Sequence, residues 1–499
     1  MDSDSTRWLK LRSGSEIRGP QQQLTDERAE KLGYAFACWL AERRGRTPDA
    51  IVLAVGRDAR TSGARIKAAL TRGITAADSD VLDCGLCPAP AVFKAVQPDC
   101  GNADGAIMVT ASTYDPALNG FRFMTADGGL KDADVDEILL RACNAEVPER
   151  LVAPHDAEAI YYEGLRSAAA RWLEDDALKP LLGMRVIVDG RSSVGQGFIH
   201  FLDALGVETE GSLNPIGDGD DIVGGPDDPQ AIEVLGKAAR ASRADMGVLF
   251  NAGGSRAAIV DDTGRPITQN RLIALIAAML LDKQPGSTFV TDSVTSSGLS
   301  AFIAEWGGIH YRFKRGYRDV IDEAVRLNAE GIDCPLAIET SGHAAFRDNA
   351  FLDDGIYLAT RVICEALNRK REGQNVFSLI NDLKEPVESV ELRLPLLDPE
   401  DPAAGQDVVE TLLSYTLDDP GWQVAPDNRE GVRITFNLDG GVNNAWFQLR
   451  MSVHDPVMVL NAESDVPGGV RRILGALYSL IEDSESLELE KLKHAVGKD

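Results

Sequence analysis

Positive charge is scarce in this chain of 499 residues: 51 Lys and Arg stand against 78 Asp and Glu, for a formal net charge of -27. A surface field of that sign repels nucleic acids and anionic membranes. We therefore expect neither as a partner. Any phosphate-binding site must be a local concentration of Arg, Lys and backbone N–H groups.

Long hydrophobic runs are also missing. No uninterrupted apolar run approaches the length of a membrane span, and residues 1–5 lack the basic and apolar regions of a signal peptide. The seven cysteines are an odd number scattered through the chain, which indicates free thiols in a reducing compartment. These absences together predict a cytoplasmic protein.

The length and the pattern of elements indicate several α/β domains. The hydrophobic content of 44% is ordinary for a globular protein, and 499 residues exceed one hydrophobic core. Strand followed by helix recurs almost to the end, which favours α/β layers with mixed sheets. Segments beginning at Ile51, Arg185 and Thr288 share a strand, a Ser/Gly turn and a helix. We interpret them as three related α/β domains.

Turn-rich stretches and a change of pattern indicate the domain boundaries. We predict four domains, at residues 1–155, 156–262, 263–385 and 386–499. In the last, alternation at 390–394, 432–436 and 445–449 predicts antiparallel strands with one wet face, and 470–481 predicts an amphipathic helix. The fourth domain is therefore expected to be α+β. The charged tail, 482–499, is expected to be a solvated helix end.

Ser112 stands in the most informative stretch. The apolar run at 106–109 predicts a short buried strand, and Asp-Pro and Asn-Gly turn signals follow. This places Ser112 on a tight loop at a strand end, where ligands bind in open α/β sheets. The placement favours a nucleophile. Alternatively, a serine in a turn hydrogen-bonds its own backbone.

Four loops, one in each predicted domain, carry a family resemblance. They are the Ser112 loop and residues 250–256, 339–343 and 450–456. Their order resembles the α-D-phosphohexomutase superfamily, the phosphoglucomutases and phosphomannomutases. Residues 13–19 are similar to the family's Thr-Ser-Gly-Ile-Arg-Gly, 55–63 nearly match Val-Gly-Arg-Asp-x-Arg-x-Ser-Gly, and 116–121 and 351–355 also fit. The resemblance covers nearly the whole chain and implies four domains around a central cleft.

The resemblance implies a mutase that interconverts hexose 1-phosphate and hexose 6-phosphate. A phosphoserine, at Ser112 here, passes its phosphoryl group to the sugar through a bisphosphorylated intermediate. Mg²⁺ is the expected cofactor, glucose 1,6-bisphosphate the activator, a hexose phosphate the partner, and a monomer or homodimer the assembly. Three arginines are implied to assist catalysis: Arg18, Arg57 and Arg122.

The residues around Ser112 depart from the family pattern. The usual His-Asn-Pro is replaced at 113–115, and the family's Asn-Gly-x-Lys ends in Arg122. Because arginine cannot readily release a proton, proton transfer must rely on another group. Asp115 and Asp127 are candidates.

The second loop departs further. Where the family has Asp-Gly-Asp-x-Asp-Arg, the ligand positions hold Asn251, Gly253 and Ser255, followed by Arg256. Magnesium prefers carboxylate oxygens, so we predict that its site is absent or very weak. Arg256 would then place a fixed cation near the phosphoserine. The alternative is that the loop survives only as a turn.

The resemblance assigns sugar recognition to the third loop and phosphate binding to the fourth. In the fourth loop, Val and His replace the family's Gly and Thr, which predicts an altered phosphate seat. Arg315 is a further candidate from the third domain. The implied substrate-binding residues are Glu339, Ser341, His343, Lys314, Arg318, Arg450, Ser452 and His454.

Three functions stay open at this point. The chain is a working mutase, a catalytically silent relative that binds a sugar phosphate as sensor, regulator or partner subunit, or a scaffold without ligand. The retained Ser112 and third loop disfavour the scaffold. The missing carboxylates favour the silent relative, whereas family membership favours the enzyme. Glu-x-Ser suits glucose, mannose and glucosamine phosphates alike.

Overall fold

The computed structural model describes residues 3–97, 100–148, 157–213, 224–399, 403–419, 421–452 and 455–498. The chain divides into two compact units, Met1–Thr268 with Ser341–Ser378, and Gln269–Thr340 with Leu379–Asp499. The α/β class with mixed sheets is confirmed. The predicted boundary at 155 lies outside the described residues, and the other domain boundaries stay predictions.

The first sheet is mixed. Its order is β1-β2-β6-β5-β3-β4, with β7 on β6. The strands β3 and β5 are parallel and end in register, Arg57 opposite Val109, so the loops that follow them leave the sheet at the same edge. The elements are α1 (Ser3–Leu9), β1 (Arg12–Ser13), β2 (Glu16–Pro20), α2 (Asp26–Arg43), β3 (Val52–Arg57), α3 (Gly63–Ala76), β4 (Asp80–Leu86), α4 (Ala89–Lys94), β5 (Gly105–Val109), β6 (Leu118–Thr125), β7 (Gly128–Gly129) and α5 (Asp132–Cys143).

The core of this region explains why its strands are apolar throughout. All five residues of β5 are buried, because the sheet is covered on both faces. Phe36 of α2 packs against Phe123 of β6 with ring centroids 5.0 Å apart. The apolar run at 106–109 therefore forms the buried strand that the sequence predicts.

The second sheet has the order β11-β10-β9-β8, with β8 parallel to β9 and the other pairs antiparallel. Phe250 pairs with Ala257, so residues 251–256 form the loop of the β9–β10 hairpin. The elements are α6 (Ala157–Leu173), β8 (Val186–Val188), α7 (Ser193–Ala204), α8 (Pro229–Ala241), β9 (Met246–Phe250), β10 (Ala257–Val260) and β11 (Pro266–Ile267).

The third sheet has a parallel core in which β12 pairs with both β13 and β14. Its elements are α9 (Asn270–Leu281), β12 (Thr288–Thr291), α10 (Ser297–Glu305), β13 (Ile309–Arg312), α11 (Tyr317–Ala329) and β14 (Leu336–Ile338). The next two elements belong to the first compact unit: β15 (Ala344–Phe346) and α12 (Gly355–Arg371). The carboxylate of Asp354 caps α12 by accepting from the N–H groups of Ile356 and Tyr357.

The last sheet is antiparallel in the order β16-β20-β19-β18-β17. Its elements are β16 (Glu388–Pro395), α13 (Ala403–Asp418), β17 (Gln423–Val424), β18 (Val432–Phe436), β19 (Ala445–Met451), β20 (Val457–Ser464), α14 (Gly469–Ile481) and α15 (Glu490–Ala495). The expected solvated tail is wrong: Leu487 and Leu492 are buried in the core that α14 shares with the sheet. Throughout the described ranges, no helix is both long enough and apolar enough for a membrane span.

Candidate functional site

Ser112 lies on the tight loop between β5 and β6 with a positive φ of 55°. This left-handed backbone is uncommon for a residue other than glycine and persists only where the surroundings impose it. The backbone N–H of Ser112 donates to Thr110 Oγ1 at 2.9 Å. The residue is half-buried and lies at the end of the sheet where the carboxyl ends of β3 and β5 meet.

Arg60 imposes the shape of this loop. Its buried guanidinium pairs with Asp58 at 3.2 Å, and Asp58 also accepts from Thr110 Oγ1 at 2.6 Å. Burial raises the pKa of Asp58 and lowers that of Arg60, while each charge favours the ionised form of the other. The guanidinium also donates four hydrogen bonds of 2.7–2.9 Å to loop carbonyl oxygens, those of Ser112, Tyr114, Asp115 and Leu118.

The Asn251 side chain brings the second loop to Ser112. Its Nδ2 donates to Ser112 Oγ at 3.0 Å and to Ser255 Oγ at 3.2 Å. Its Oδ1 accepts from the backbone N–H of Arg256 at 2.9 Å. Because a backbone N–H can only donate, this last bond fixes the amide orientation and makes Asn251 a donor toward Ser112.

Arg256 places a positive charge at Thr113, the residue that follows Ser112. One terminal nitrogen donates to Thr113 Oγ1 at 2.7 Å, and the other pairs with Asp227 and reaches Ser341 O at 3.5 Å. The Nε atom is buried and, within the described part of the chain, has no hydrogen-bond partner. The side chain is 8% exposed, whereas that of Asp227 is 59% exposed. Arg256 is therefore a largely buried cation whose only ion-pair partner in the described chain lies near solvent.

The second loop does not fit a magnesium ion. The one side-chain oxygen of Asn251 is used by the Arg256 N–H, Gly253 has no side chain, and Ser255 supplies a neutral hydroxyl. Magnesium needs several oxygen ligands, carboxylates foremost. Across the ranges that the structure describes, no three His, Cys, Asp or Glu side chains form a group that could hold a metal ion.

A buried row of charges lies along β2, β6 and the segment before α12. Arg122 pairs with Asp353 at 2.6 Å and with Glu16 at 3.4 Å, and Arg18 also pairs with Glu16. His343 Nδ1 lies 2.7 Å from the same oxygen of Asp353. Burial acts to raise the pKa of Asp353, yet the charges of His343 and Arg122 outweigh it, so that its pKa is lowered. Asp353 thereby orients the imidazole and the guanidinium together.

Two further predicted residues lie in the same unit. The Arg18 guanidinium stacks over the Tyr114 ring at 4.3 Å, which brings it against the Ser112 loop. Arg57 ends β3 and donates to the backbone oxygen of Asp58 at 2.9 Å. His343 forms an antiparallel bridge with Arg256. The first unit therefore brings together Ser112, Arg18, Arg122, Asn251, Ser255, Arg256, Ser341 and His343.

The remaining predicted residues lie in the second unit, except His454, which lies outside the described residues. Glu339 is buried, and its Oε1 accepts from the backbone N–H of Gly316 at 2.7 Å. Arg450 is buried with its Nε 3.9 Å from Glu430, which also accepts from the Arg315 N–H at 3.0 Å. Lys314 is exposed, Arg318 pairs with Asp322, and Ser452 Oγ accepts from the Asp455 N–H.

Several functional candidates were missed by sequence reasoning. Arg60 and Asp353 stand within the motifs that carry the resemblance, but the sequence alone assigned no function to either residue. Asp227 stands in no motif, and only its contact with Arg256 reveals it. Asp115 and Asp127, the candidates for proton transfer, are not in the charged row around Asp353.

Comparisons with known proteins give the context for this geometry. The family model of phosphoglucomutase/phosphomannomutase, alpha/beta/alpha domain I, matches residues 10–149, and that of domain III matches residues 268–386, together more than half of the chain.

Relatives resemble the chain along nearly its whole length. A phosphoglucomutase of Neisseria meningitidis serogroup A is 26% identical over 480 residues, covering 95% of this chain and 96% of that protein. A phosphomannomutase/phosphoglucomutase of Pseudomonas aeruginosa is 26% identical and covers 90% of both. The crystal structure of a phosphoglucomutase/phosphomannomutase family protein from Burkholderia thailandensis has the same fold, with a TM-score of 0.78, 24% identity, and coverage of 97% and 98%.

Proposed function

This chain belongs to the α-D-phosphohexomutase superfamily, and from that membership we propose that it is an enzyme that interconverts hexose 1-phosphate and hexose 6-phosphate. Two relatives that match 90% or more of the chain carry the names phosphoglucomutase and phosphomannomutase/phosphoglucomutase. In this proposal Ser112 carries the phosphoryl group, a bisphosphorylated sugar is the intermediate, and glucose 1,6-bisphosphate charges the enzyme.

The environment of Ser112 Oγ is the observation that carries the proposal. The loop holds Ser112 at a positive φ beyond a buried strand, and Arg60 stiffens it through four backbone carbonyls. Asn251 and Arg256 reach the same place from the β9–β10 hairpin. Phosphoryl transfer depends mainly on positioning and on neutralising charge, and this arrangement supplies both.

Charging of the serine is a single phosphoryl transfer. Ser112 Oγ attacks one phosphorus atom of glucose 1,6-bisphosphate, the bond from that phosphorus to the sugar oxygen breaks, and the serine proton passes to the departing oxygen. The Arg122 guanidinium retains its protons and acts as a fixed charge. His343, oriented through Nδ1 by Asp353, is the group that we assign to carry the proton, because an imidazole ring can accept a proton at one nitrogen and donate one from the other.

We assign sugar recognition to Glu339 and Ser341, and the distal phosphate to residues of the fourth loop and their neighbours, as the family resemblance implies. Glu339 offers a buried carboxylate for sugar hydroxyls, with one oxygen already held by the Gly316 N–H. Arg450, with Ser452, Lys314, Arg318 and His454, is assigned to the phosphate that does not react. These roles follow the family resemblance residue by residue.

A second candidate function is a silent family member that binds a sugar phosphate. The observation that favours it is the β9–β10 loop, whose three ligand positions hold no carboxylate. Losing one part of a concerted transfer site typically removes orders of magnitude in rate.

A mutase assay separates the two candidates. Phosphorus NMR would follow glucose, mannose and glucosamine 1-phosphates with catalytic glucose 1,6-bisphosphate, with Ser112→Ala as the control. Signals of the 6-phosphate with wild type alone support the enzyme. No conversion of any sugar, with hexose phosphate binding intact by calorimetry, refutes the enzyme and leaves the silent binder.

A further inference from the structure

We propose that the Ser112 site holds its phosphoryl dianion without any divalent cation, with Arg256 supplying the charge and Asn251 a hydrogen bond. The inference rests on the proposed function for the identity of the ligand, a phosphoryl group on Ser112 or on the sugar beside it. It concerns the four residues Ser112, Thr113, Asn251 and Arg256, which we call the Arg256 seat.

The orientation of Asn251 is the first step. Its Oδ1 is bound to the Arg256 N–H, so its Nδ2 faces Ser112 Oγ. An N–H donor next to the serine oxygen repels a cation and attracts a phosphoryl oxygen. A magnesium ion in contact with Ser112 would have to break the Oδ1 bond and rotate the side chain of a residue that is 1% exposed.

The charge of Arg256 is the second step. Its guanidinium reaches Thr113, the residue next to Ser112, at 2.7 Å. A divalent cation at Ser112 would face this fixed, largely buried positive charge, and like charges repel each other. A phosphoryl group gains from the same charge, as arginine forms paired hydrogen bonds with phosphate oxygens.

The third step concerns the Nε–H donor of Arg256. Arg256 Nε is buried and has no hydrogen-bond partner among the residues that the structure describes, although a buried donor is costly to leave unsatisfied. Asp227, the anion that now pairs with Arg256, is 59% exposed and carries one charge, so this ion pair is weak. A phosphoserine carries about -1.5 to -2 at neutral pH and therefore competes favourably for the guanidinium.

The second loop has room for the carboxylates that the family pattern places there, so they can be introduced by substitution. A side chain at Gly253 would meet its nearest neighbours, Ala89 Cβ and Thr110 Oγ1, at 3.8 and 3.9 Å, which is ordinary contact. The triple variant Asn251→Asp/Gly253→Asp/Ser255→Asp would thus place three carboxylates at the family's ligand positions. It is expected to acquire the magnesium dependence that the wild type lacks.

The first experiment measures binding of glucose 1,6-bisphosphate by calorimetry. Ser112→Ala protein is used so that no transfer occurs, with either magnesium or excess EDTA present. We expect equal affinities in the two buffers. Adding Arg256→Gln should weaken binding about 10- to 100-fold in both, since it removes charge-assisted hydrogen bonds. The matched control Lys237→Gln removes a charge that is 63% exposed and should leave the affinity unchanged.

The second experiment measures thermal unfolding with and without magnesium. The wild-type Tm should not respond, whereas that of the triple variant should rise, because an ion that binds only the folded state stabilises it. A Ser112→Ala protein that loses more than about tenfold in affinity with EDTA, or a wild type whose Tm rises with magnesium, overturns the inference. So does an Arg256→Gln variant that binds like its control, or a protein that does not bind the bisphosphate in either buffer. Failure of the mutase assay with metal-independent binding intact would refute the enzyme and leave this inference standing.

Discussion

At the scale of single residues, Arg60 has the largest predicted effect on stability. Arg60→Ala removes four hydrogen bonds to the Ser112 loop and leaves the carboxylate of Asp58 buried without its cation. Removing one partner of a buried pair costs about 3–5 kcal/mol, and we expect that loss in the free energy of unfolding measured in urea.

The matched control for that change is Arg65→Ala. The Arg65 side chain is 43% exposed and pairs with an exposed Asp26, so its loss should cost no more than about 1 kcal/mol. Equal losses for the two variants would show that Arg60 does not hold the loop.

Asp353 is expected to make the protein sensitive to acid. Its folded pKa lies below the ordinary value of 3.8, because His343 and Arg122 outweigh the effect of burial. The contribution of the ionised Asp353 to the free energy of unfolding is therefore fully present above pH 3.8 and is lost as the pH falls through the folded pKa. Urea unfolding at about pH 5 and about pH 3 should show a smaller acid loss in Asp353→Asn than in wild type. Equal acid losses would contradict this role.

Sequence analysis found the site residues that stand in motifs and missed those whose role depends on a contact in the folded chain. Ser112, Asn251 and Arg256 stand in recognisable motifs, and the structure places them in contact although Ser112 and Asn251 are 139 positions apart. Asp227 has a role only through its contact with Arg256, between side chains 29 positions apart. The orientation of the Asn251 amide is likewise invisible in sequence, because it depends on a backbone N–H.

At the scale of elements, the start of α12 controls the position of the Arg256 loop. A side chain on Gly355 would come within 2.5–2.9 Å of backbone atoms of Arg256 and Ala257, closer than real contacts allow. Gly355→Ala should therefore cost about 1–3 kcal/mol in the free energy of unfolding, as overpacking does. It should also weaken bisphosphate binding, since the backbone of Arg256 has to move.

Gly164→Ala is the control for this change. Gly164 is inside α6, and a methyl group added there would have no neighbouring atom within 4 Å. Alanine at this position should therefore be neutral or stabilise the protein by up to about 1 kcal/mol. A Gly355→Ala variant as stable as this control would show that the start of α12 can accommodate a methyl group.

Elements with a local signature were predictable, and those held by distant packing were not. The strand at 106–109 and the helix at 470–481 are confirmed, because apolar runs and amphipathic spacing report on burial directly. The strand at 432–436 is also confirmed, but its predicted wet face is wrong, because Arg433 on that face is buried. The tail at 482–499 is charged, and no local pattern indicates that Leu487 and Leu492 join a core formed by a sheet that lies earlier in the chain.

At the scale of the whole molecule, the net charge of -27 implies self-repulsion in the folded state. Salt screens such repulsion over a Debye length of about 8 Å at physiological ionic strength. We expect the Tm to rise between low salt and about 0.15 M sodium chloride. A Tm that falls over this range would show that attractive pairs outweigh the net repulsion.

The central claim is that Ser112 is a phosphoryl acceptor served by Arg256 in place of a metal ion. Intact-mass spectrometry after incubation with glucose 1,6-bisphosphate tests it most directly, in magnesium and in excess EDTA, beside Ser112→Ala. We predict one added phosphoryl group on wild type in both buffers and none on the variant. No added mass in either buffer, or addition only with magnesium, would contradict it.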